Sequence, residues 1–294
     1  MAICRYCGQK AGWLSDAHED CIRKANEGIE TLKLAISNAV TAGKTYGDIK
    51  ASVETVVSGY HIPHPEALAA IKAGWSQGAE QRSKAQPISP DDFDAISDIY
   101  KMAGLTKDDI WYKTAGFYAM GFSCLIWTVL HDHIDPYQGP VRFQLQAGEI
   151  PVYGIANVLV RQERTTKSYV GGYSGVSMRV ANGLYYRLGG MRGHAVESTS
   201  LQEVDYGDFL MTTRAIYFGG TEKGTNFRLS YNQVIRFQPC SDAVGICRNG
   251  AREQIFAPQQ AATAEATRAL QDSGWFLFNL LQALAAKDSA AKGY

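Results

Sequence analysis

The sequence predicts an α+β chain: a small cysteine-rich knuckle, a helical middle region and a C-terminal antiparallel β sandwich or barrel capped by a last helix. Three observations predict it. Cysteines crowd into the first turns at metal-ligand spacing, apolar residues recur at three- and four-residue intervals through the next hundred positions, and short β-branched or aromatic runs alternate with turn residues beyond Pro140. The 294 residues exceed one minimal core and suit two to three units. We read residues 1–25 as the knuckle, 26–135 as a helical connector, 141–286 as the β domain and 287–294 as a flexible tail.

Charge and composition narrow the function classes. With 46% hydrophobic and 20% charged residues and a formal net charge of zero, no bulk electrostatic argument favours nucleic acid or an anionic membrane. Any such preference has to come from a local patch. Met1 runs directly into Cys4 and Cys7 without a basic and apolar leader, so the expected compartment is the cytoplasm. The longest apolar run, Ala115 to Leu130, is shorter than the roughly 20 residues of a bilayer span and reads as a buried helix.

The knuckle carries the clearest chemistry. Cys4-x2-Cys7-x10-His18-x2-Cys21 puts two thiolates on one tight turn, where Gly8 relaxes the backbone, and two more ligands at the start of the following helix. Such a Cys3His set closes a tetrahedral zinc shell with no open position, so the zinc expected here is structural. Asp16, Glu19 and Asp20 remain alternative oxygen donors to His18. A redox Cys-x-x-Cys would need a βαβ setting that is missing. The stretch resembles the small zinc-ribbon or treble-clef knuckles that open many bacterial multidomain proteins. Cys124, Cys240 and Cys247 stand apart among apolar neighbours and read as reduced thiols. His61 and His64, like His131 and His133, read as turn histidines with few carboxylates beside them.

The helical region opens at Ile22 and runs through Ile29, Leu32, Leu34, Ala35 and Val40 to Gly43. A second helix follows Tyr46-Gly47, and a third is expected from Ala67 to Trp75 after the His61-Ile-Pro-His-Pro65 break, leaving Ser76 to Pro90 exposed. Ser89-Pro90-Asp91-Asp92 is a helix start, with a capping hydroxyl and acidic residues in the first turn. Asp135-Pro136-Tyr137-Gln-Gly-Pro140 punctuates the passage to β structure.

Beyond Pro140 the expected strands begin with Val141–Leu145 and Val152–Gln162. The most apolar pair lies in Asp208–Gly220, with a return strand through Phe227 and Leu229. A terminal helix from about residue 259 to Ala286 is interrupted at Asp272-Ser273-Gly274 and masses Trp275, Phe276, Phe278, Leu280, Leu281 and Leu284 in its second half.

Three segments of this half carry a family resemblance: Gly207 to Gly219 with its Thr212-Thr213-Arg214, Phe227 to Phe237, and Ala243 to Arg248 before the aromatic helix. Together they resemble bacterial pleckstrin-homology-like and GRAM-type domains over about 110 residues. The resemblance implies a seven-stranded bent sandwich capped by one helix, without intrinsic catalysis. Lys167 to His194 departs from the pattern as a glycine-rich, insertion-like stretch.

That stretch is locally basic. Arg161, Arg164, Lys167, Arg179, Arg187 and Arg192 stand against a single acidic residue, Glu163, and the stretch also holds two glycine clusters with Tyr169, Tyr173, Tyr185 and Tyr186. Backbone amides and cations converging there would take an anionic group, so Lys167, Arg179, Arg187 and Arg192 are the candidate ligand-binding residues. In phosphoinositide-binding members of the family the first hairpin carries a lysine and then a basic-x-Arg triplet. Lys167 and Arg179 match the outer members, whereas Ser177 holds the middle position. The plainer alternative is a solvated strand face.

No nucleotide, hydrolase or metalloprotease motif is present, and no catalytic residue is assigned. The expected function is a non-enzymatic modular adaptor whose β domain recognises a protein partner or an anionic ligand. The competing readings are a nucleic-acid-associated zinc protein using knuckle and basic hairpin together, and an enzyme with an unrecognised site.

Overall fold

The computed structural model describes residues 2–12, 15–98, 114–164, 200–259, 261 and 264–293, together with the strand backbones at 172–174, 177–181, 184–187 and 190–192. The chain divides into two compact units, Met1–Gly121 and Phe122–Tyr294. Among the described residues no helix is long and apolar enough to cross a membrane.

In the first unit a knuckle precedes α1 (Glu19–Thr41), α2 (Tyr46–Gly59), α3 (His64–Ala85), α4 (Pro90–Ser97) and the first turns of α5 (Ala115–Leu130), inside which the division falls. α1 buries Ala25, Gly28, Leu32, Ile36 and Val40, one stripe at helical spacing. It packs lengthwise on α3. Gly74 and Gly78 permit that approach: a Cβ at either would sit 2.4 or 2.5 Å from the carbonyl oxygens of Lys33 and Ser37. α3 therefore runs ten residues beyond Trp75, where the sequence suggested an exposed polar stretch. Gly78, Ala79 and Ser83 are buried on the face toward α1, and small residues at helical spacing give little hydropathy signal. Trp75, fully buried, donates its indole N–H to the Ile96 carbonyl at 3.1 Å and so fixes α4 against α3. The Ser89 hydroxyl caps α4 by accepting from the Asp92 amide at 3.1 Å, as its sequence predicts.

The second unit is built on a seven-stranded antiparallel sheet. β1 (Pro151–Arg164) occupies its middle, flanked on one side by β6 (Ser200–Thr212), β7 (Ala215–Gly220) and β8 (Asn226–Ser230). On the other side lie β11 (Gln254–Pro258), β10 (Val244–Arg248) and β9 (Val234–Pro239). Shifts of register in β1, one of them beside Asn157 at φ 60°, bend the strand, and the sheet curls into a half-barrel. Between β1 and β6 the chain makes two nested hairpins: β2 (Gly172–Ser174) pairs with β5 (Gly190–Arg192), and β3 (Ser177–Ala181) pairs with β4 (Leu184–Arg187).

Both faces of β6 and β7 are covered, which explains why Phe209 to Met211 and Ala215 to Phe218 are continuous apolar runs without polar alternation. On one face Phe209, Phe218 and Phe227 gather around Phe256 at ring distances of 5.0 to 6.1 Å. On the other, Leu210, Ala215 and Tyr217 lie under Tyr137, Phe143 and Leu145. The segment expected as a strand at Val141–Leu145 has no ladder; it is an irregular cover held by these apolar contacts.

The terminal helix breaks where the sequence indicates, giving α6 (Ala264–Gln271) and α7 (Gly274–Ala291). α7 closes the sheet. Phe276, Leu277, Phe278, Leu280, Leu281 and Leu284 are each 1% exposed or less, and full burial of such side chains stabilises by about 1.5–3 kcal/mol apiece. Phe276 stacks on Phe122 at 4.2 Å and meets Tyr153 edge-on at 5.1 Å. The helix continues past Ala286 to Ala291, with Asp288 buried and paired to Lys292 at 2.5 Å.

Candidate functional site

The knuckle is shaped by backbone before any ligand is considered. Ile3 and Lys10 form an antiparallel bridge, the Cys4 amide donates to the Gln9 carbonyl at 2.7 Å, and Gly8, at φ 70°, donates to the Cys4 carbonyl at 2.9 Å. The left-handed conformation at Gly8 turns the chain back directly after Cys7. The second pair of ligands comes from the start of α1: His18 is its N-cap residue, and Cys21 lies in its first turn. A small apolar cluster of Cys4, Tyr6, Ala11, Ala17 and Ala25, joined by Cys21 and Ile22, backs the site.

One ligand atom from each of Cys4, Cys7, His18 and Cys21 lies within 4.8 Å of the others. His18 Nδ1 is 3.5 Å from Cys7 Sγ and 3.7 Å from Cys21 Sγ. Sulfur at about 2.3 Å and nitrogen at about 2.0–2.1 Å from one zinc, at tetrahedral angles, would stand roughly 3.6 Å apart, so the spacing suits that ion. The other ring nitrogen is spoken for: His18 Nε2–H donates to the Lys10 carbonyl at 3.1 Å, which leaves Nδ1 bare for a metal. Asp20, an alternative donor by sequence, is engaged by Arg23 at 2.8 Å.

The thiols respond to this crowding. Burial opposes ionisation of Cys4, yet backbone N–H groups of Cys7, His18 and Tyr6 overcome it and hold the thiol down to about 6. Burial and the neighbouring sulfurs of Cys7 and Cys4 push Cys21 up to about 11. Three thiolates this close repel one another, and a cation among them is what relieves the repulsion. Four ligands and a backing core leave such an ion no open position, so the arrangement fits a structural zinc site. Among the described residues it is the only metal-competent cluster; His61, His64, His131 and His133 join none.

Of the candidate ligand-binding residues, Lys167 lies outside the described residues, and Arg179, Arg187 and Arg192 are described by their backbone alone. Arg179 pairs with Tyr185 and Arg187 with Ser177, so the two arginines hold diagonal register positions on one face of the β3–β4 hairpin. Arg192 pairs with Gly172 in the other hairpin. The strand β4 runs beside α7.

Two buried carboxylates escape the sequence reading. Glu149 accepts from the Tyr217 hydroxyl, from the Arg228 guanidinium and, at 3.2 Å, from the Gln146 amide. Burial opposes its charge, but these donors prevail and lower its pKa. Asp205 accepts from the backbone amides of Tyr206, Glu222, Lys223 and Thr225 at 2.8 to 3.2 Å, so it organises the turn between β7 and β8. Against the burial penalty, those amides hold Asp205 well below the usual carboxylate range. Neither position has a periodic signal, because each acts through contacts with distant chain segments. Comparison with family models and with curated proteins finds no match.

Proposed function

We propose that the chain is a non-enzymatic binding protein of adaptor type: a knuckle held by structural zinc on Cys4, Cys7, His18 and Cys21, a helical connector, and a pleckstrin-homology-like β domain that recognises an anionic ligand or a protein partner. The observation that carries this reading is the sheet. Seven antiparallel strands in one curled sheet, with β1 pairing both β6 and β11 and one helix closing the curl, support it, since the family resemblance implies seven strands capped by one helix. The recognition surface is the basic arm between β1 and β6, where Arg179 and Arg187 share a face by register and Lys167 and Arg192 flank them in sequence. The protein works in the cytoplasm, where the described free cysteines stay reduced.

The test is vesicle sedimentation with and without phosphoinositides, run beside native mass spectrometry of the purified protein for carried ligands. Replacing Arg179 and Arg187 together with alanine should weaken capture at least about tenfold, one decade being roughly 1.4 kcal/mol. Equal capture by wild type and the double variant would make the arm a solubilising face.

A further inference from the structure

A groove of about 730 Å³ opens at one corner of the β unit. Its walls are Arg228 from β8, Asn232 from the 3-10 turn Tyr231–Gln233, Val234 and Ile235 from the start of β9, and Arg248 with Asn249 at the end of β10. Arg248 stands opposite Val234 in the β9–β10 register. The lining holds two arginines and no carboxylate. Its size lies within the roughly 300–1,000 Å³ of small-molecule sites.

The two arginines are in different states. Arg228 is spent: it donates to Glu149, to the Tyr217 hydroxyl at 3.0 Å and to the Ser230 hydroxyl at 2.6 Å. The Arg248 side chain makes no hydrogen bond or ion pair among the described residues. Its Nε is sealed from solvent without a partner, and its guanidinium lies 5.6 Å from the Phe227 ring centroid. Glu149 is engaged by Arg228, and Glu253 meets Arg236 through one oxygen at 3.9 Å while its other oxygen, Oε1, is likewise sealed without a partner. A partly desolvated cation with no counter-charge is costly unless an anion comes to it. Beside it Ile235 is 67% exposed, an apolar surface left uncovered at an edge strand.

We infer that this groove binds a small organic phosphate monoester, its oxyanion on the Arg248 guanidinium and its apolar body against Val234 and Ile235. The side-chain amides of Asn232, Gln233 and Asn249 supply further donors along the wall. That supply suits the three free oxygens of a phosphate monoester better than the two of a carboxylate. The site uses none of the residues of the basic arm, so its success or failure is independent of the arm's.

Calorimetric titration of the full chain with inorganic phosphate and with hexyl phosphate tests it, beside sedimentation with phosphatidylcholine vesicles containing phosphatidic acid. Hexyl phosphate should bind more tightly than inorganic phosphate. Arg248→Gln should weaken hexyl phosphate at least tenfold, Ile235→Ser should remove its advantage over inorganic phosphate, and Arg179→Ala/Arg187→Ala should change neither. Because Asn249 is exposed, Asn249→Asp places an opposing charge in the groove without touching the core, and it should also abolish binding. Vesicle capture that depends on Arg248 would assign the lipid form of the ligand; hexyl phosphate binding without such capture would assign a soluble one. No binding of hexyl phosphate at millimolar concentration, or equal binding by wild type, Arg248→Gln and Asn249→Asp, would overturn the inference.

Discussion

The knuckle and the β unit keep their irregular backbone in place by opposite means. The knuckle has a backing core of five small or half-polar residues, Cys4, Tyr6, Ala11, Ala17 and Ala25, and four ligand atoms within 4.8 Å. The β unit surrounds Phe209, Phe218, Phe256 and the apolar face of α7 with a curled sheet. It then ties its loops down with two buried carboxylates, Glu149 and Asp205. So short a segment as the knuckle cannot order itself by apolar burial. Its order should depend on an ion, and that of the β unit should not.

The largest expected effect comes from withdrawing the metal. Structural zinc contributes about 10–16 kcal/mol of apparent free energy in small metallo-domains. Chelation, or Cys7→Ser, should therefore abolish hydrogen-exchange protection at the Cys4, Gly8 and Ala11 amides, whose acceptors lie within the knuckle. Amides of β6 and β7 should exchange as before. Loss of protection throughout both units would break the comparison.

Next comes Glu149→Ala, which strands the Arg228 guanidinium beside Tyr217. Removing one partner of a buried pair costs about 3–5 kcal/mol, so the thermal midpoint of the β unit should fall while metal content stays constant. A midpoint within a degree of wild type would show that water replaces the carboxylate freely.

Asp205→Asn should cost somewhat less, about 1–3 kcal/mol, because an amide oxygen still accepts but the charge is gone. It also sharpens the pH behaviour. Asp205 and Glu149 are both held below their ordinary values in the folded chain. Their stabilisation is therefore complete above the unfolded carboxylate range near about 4, and is lost as pH falls through the folded values. Thermal melts of wild type should lose stability below about pH 4, and Asp205→Asn should show a shallower loss. An equal acid slope in both proteins would remove Asp205 from the account.

The smallest effect should be Arg142→Ala. Its ion pair with Asp208 spans 3.0 Å, but the arginine side chain is 72% exposed, and such pairs contribute about 0–1 kcal/mol. A larger loss in denaturant titration would mean that the cover segment leans on this charge as well as on Phe143 and Leu145.

What could be read in advance follows local signal. The ligand spacing Cys4-x2-Cys7 and His18-x2-Cys21, the Ser89 cap, the helical run Ala115–Leu130 and the break at Asp272-Ser273-Gly274 are all properties of neighbouring residues, and each appears in the structure. What stayed hidden depends on distant partners. α3 continues to Ala85 because Gly74 and Gly78 meet α1. Val141–Leu145 has strand-like composition but no strand to pair with among the described residues. Glu149, Asp205 and Arg248 take their meaning from Arg228, from the Glu222–Thr225 amides and from the groove beside β9.

The central claim is that one metal ion organises the first turns of the chain, and elemental analysis of purified protein tests it most directly. The account predicts one zinc per chain in wild type and none retained by Cys4→Ser, with the β unit's thermal transition preserved in both. Full zinc content in Cys4→Ser, or wild-type protein that binds none while the Cys4, Gly8 and Ala11 amides stay protected, would contradict it.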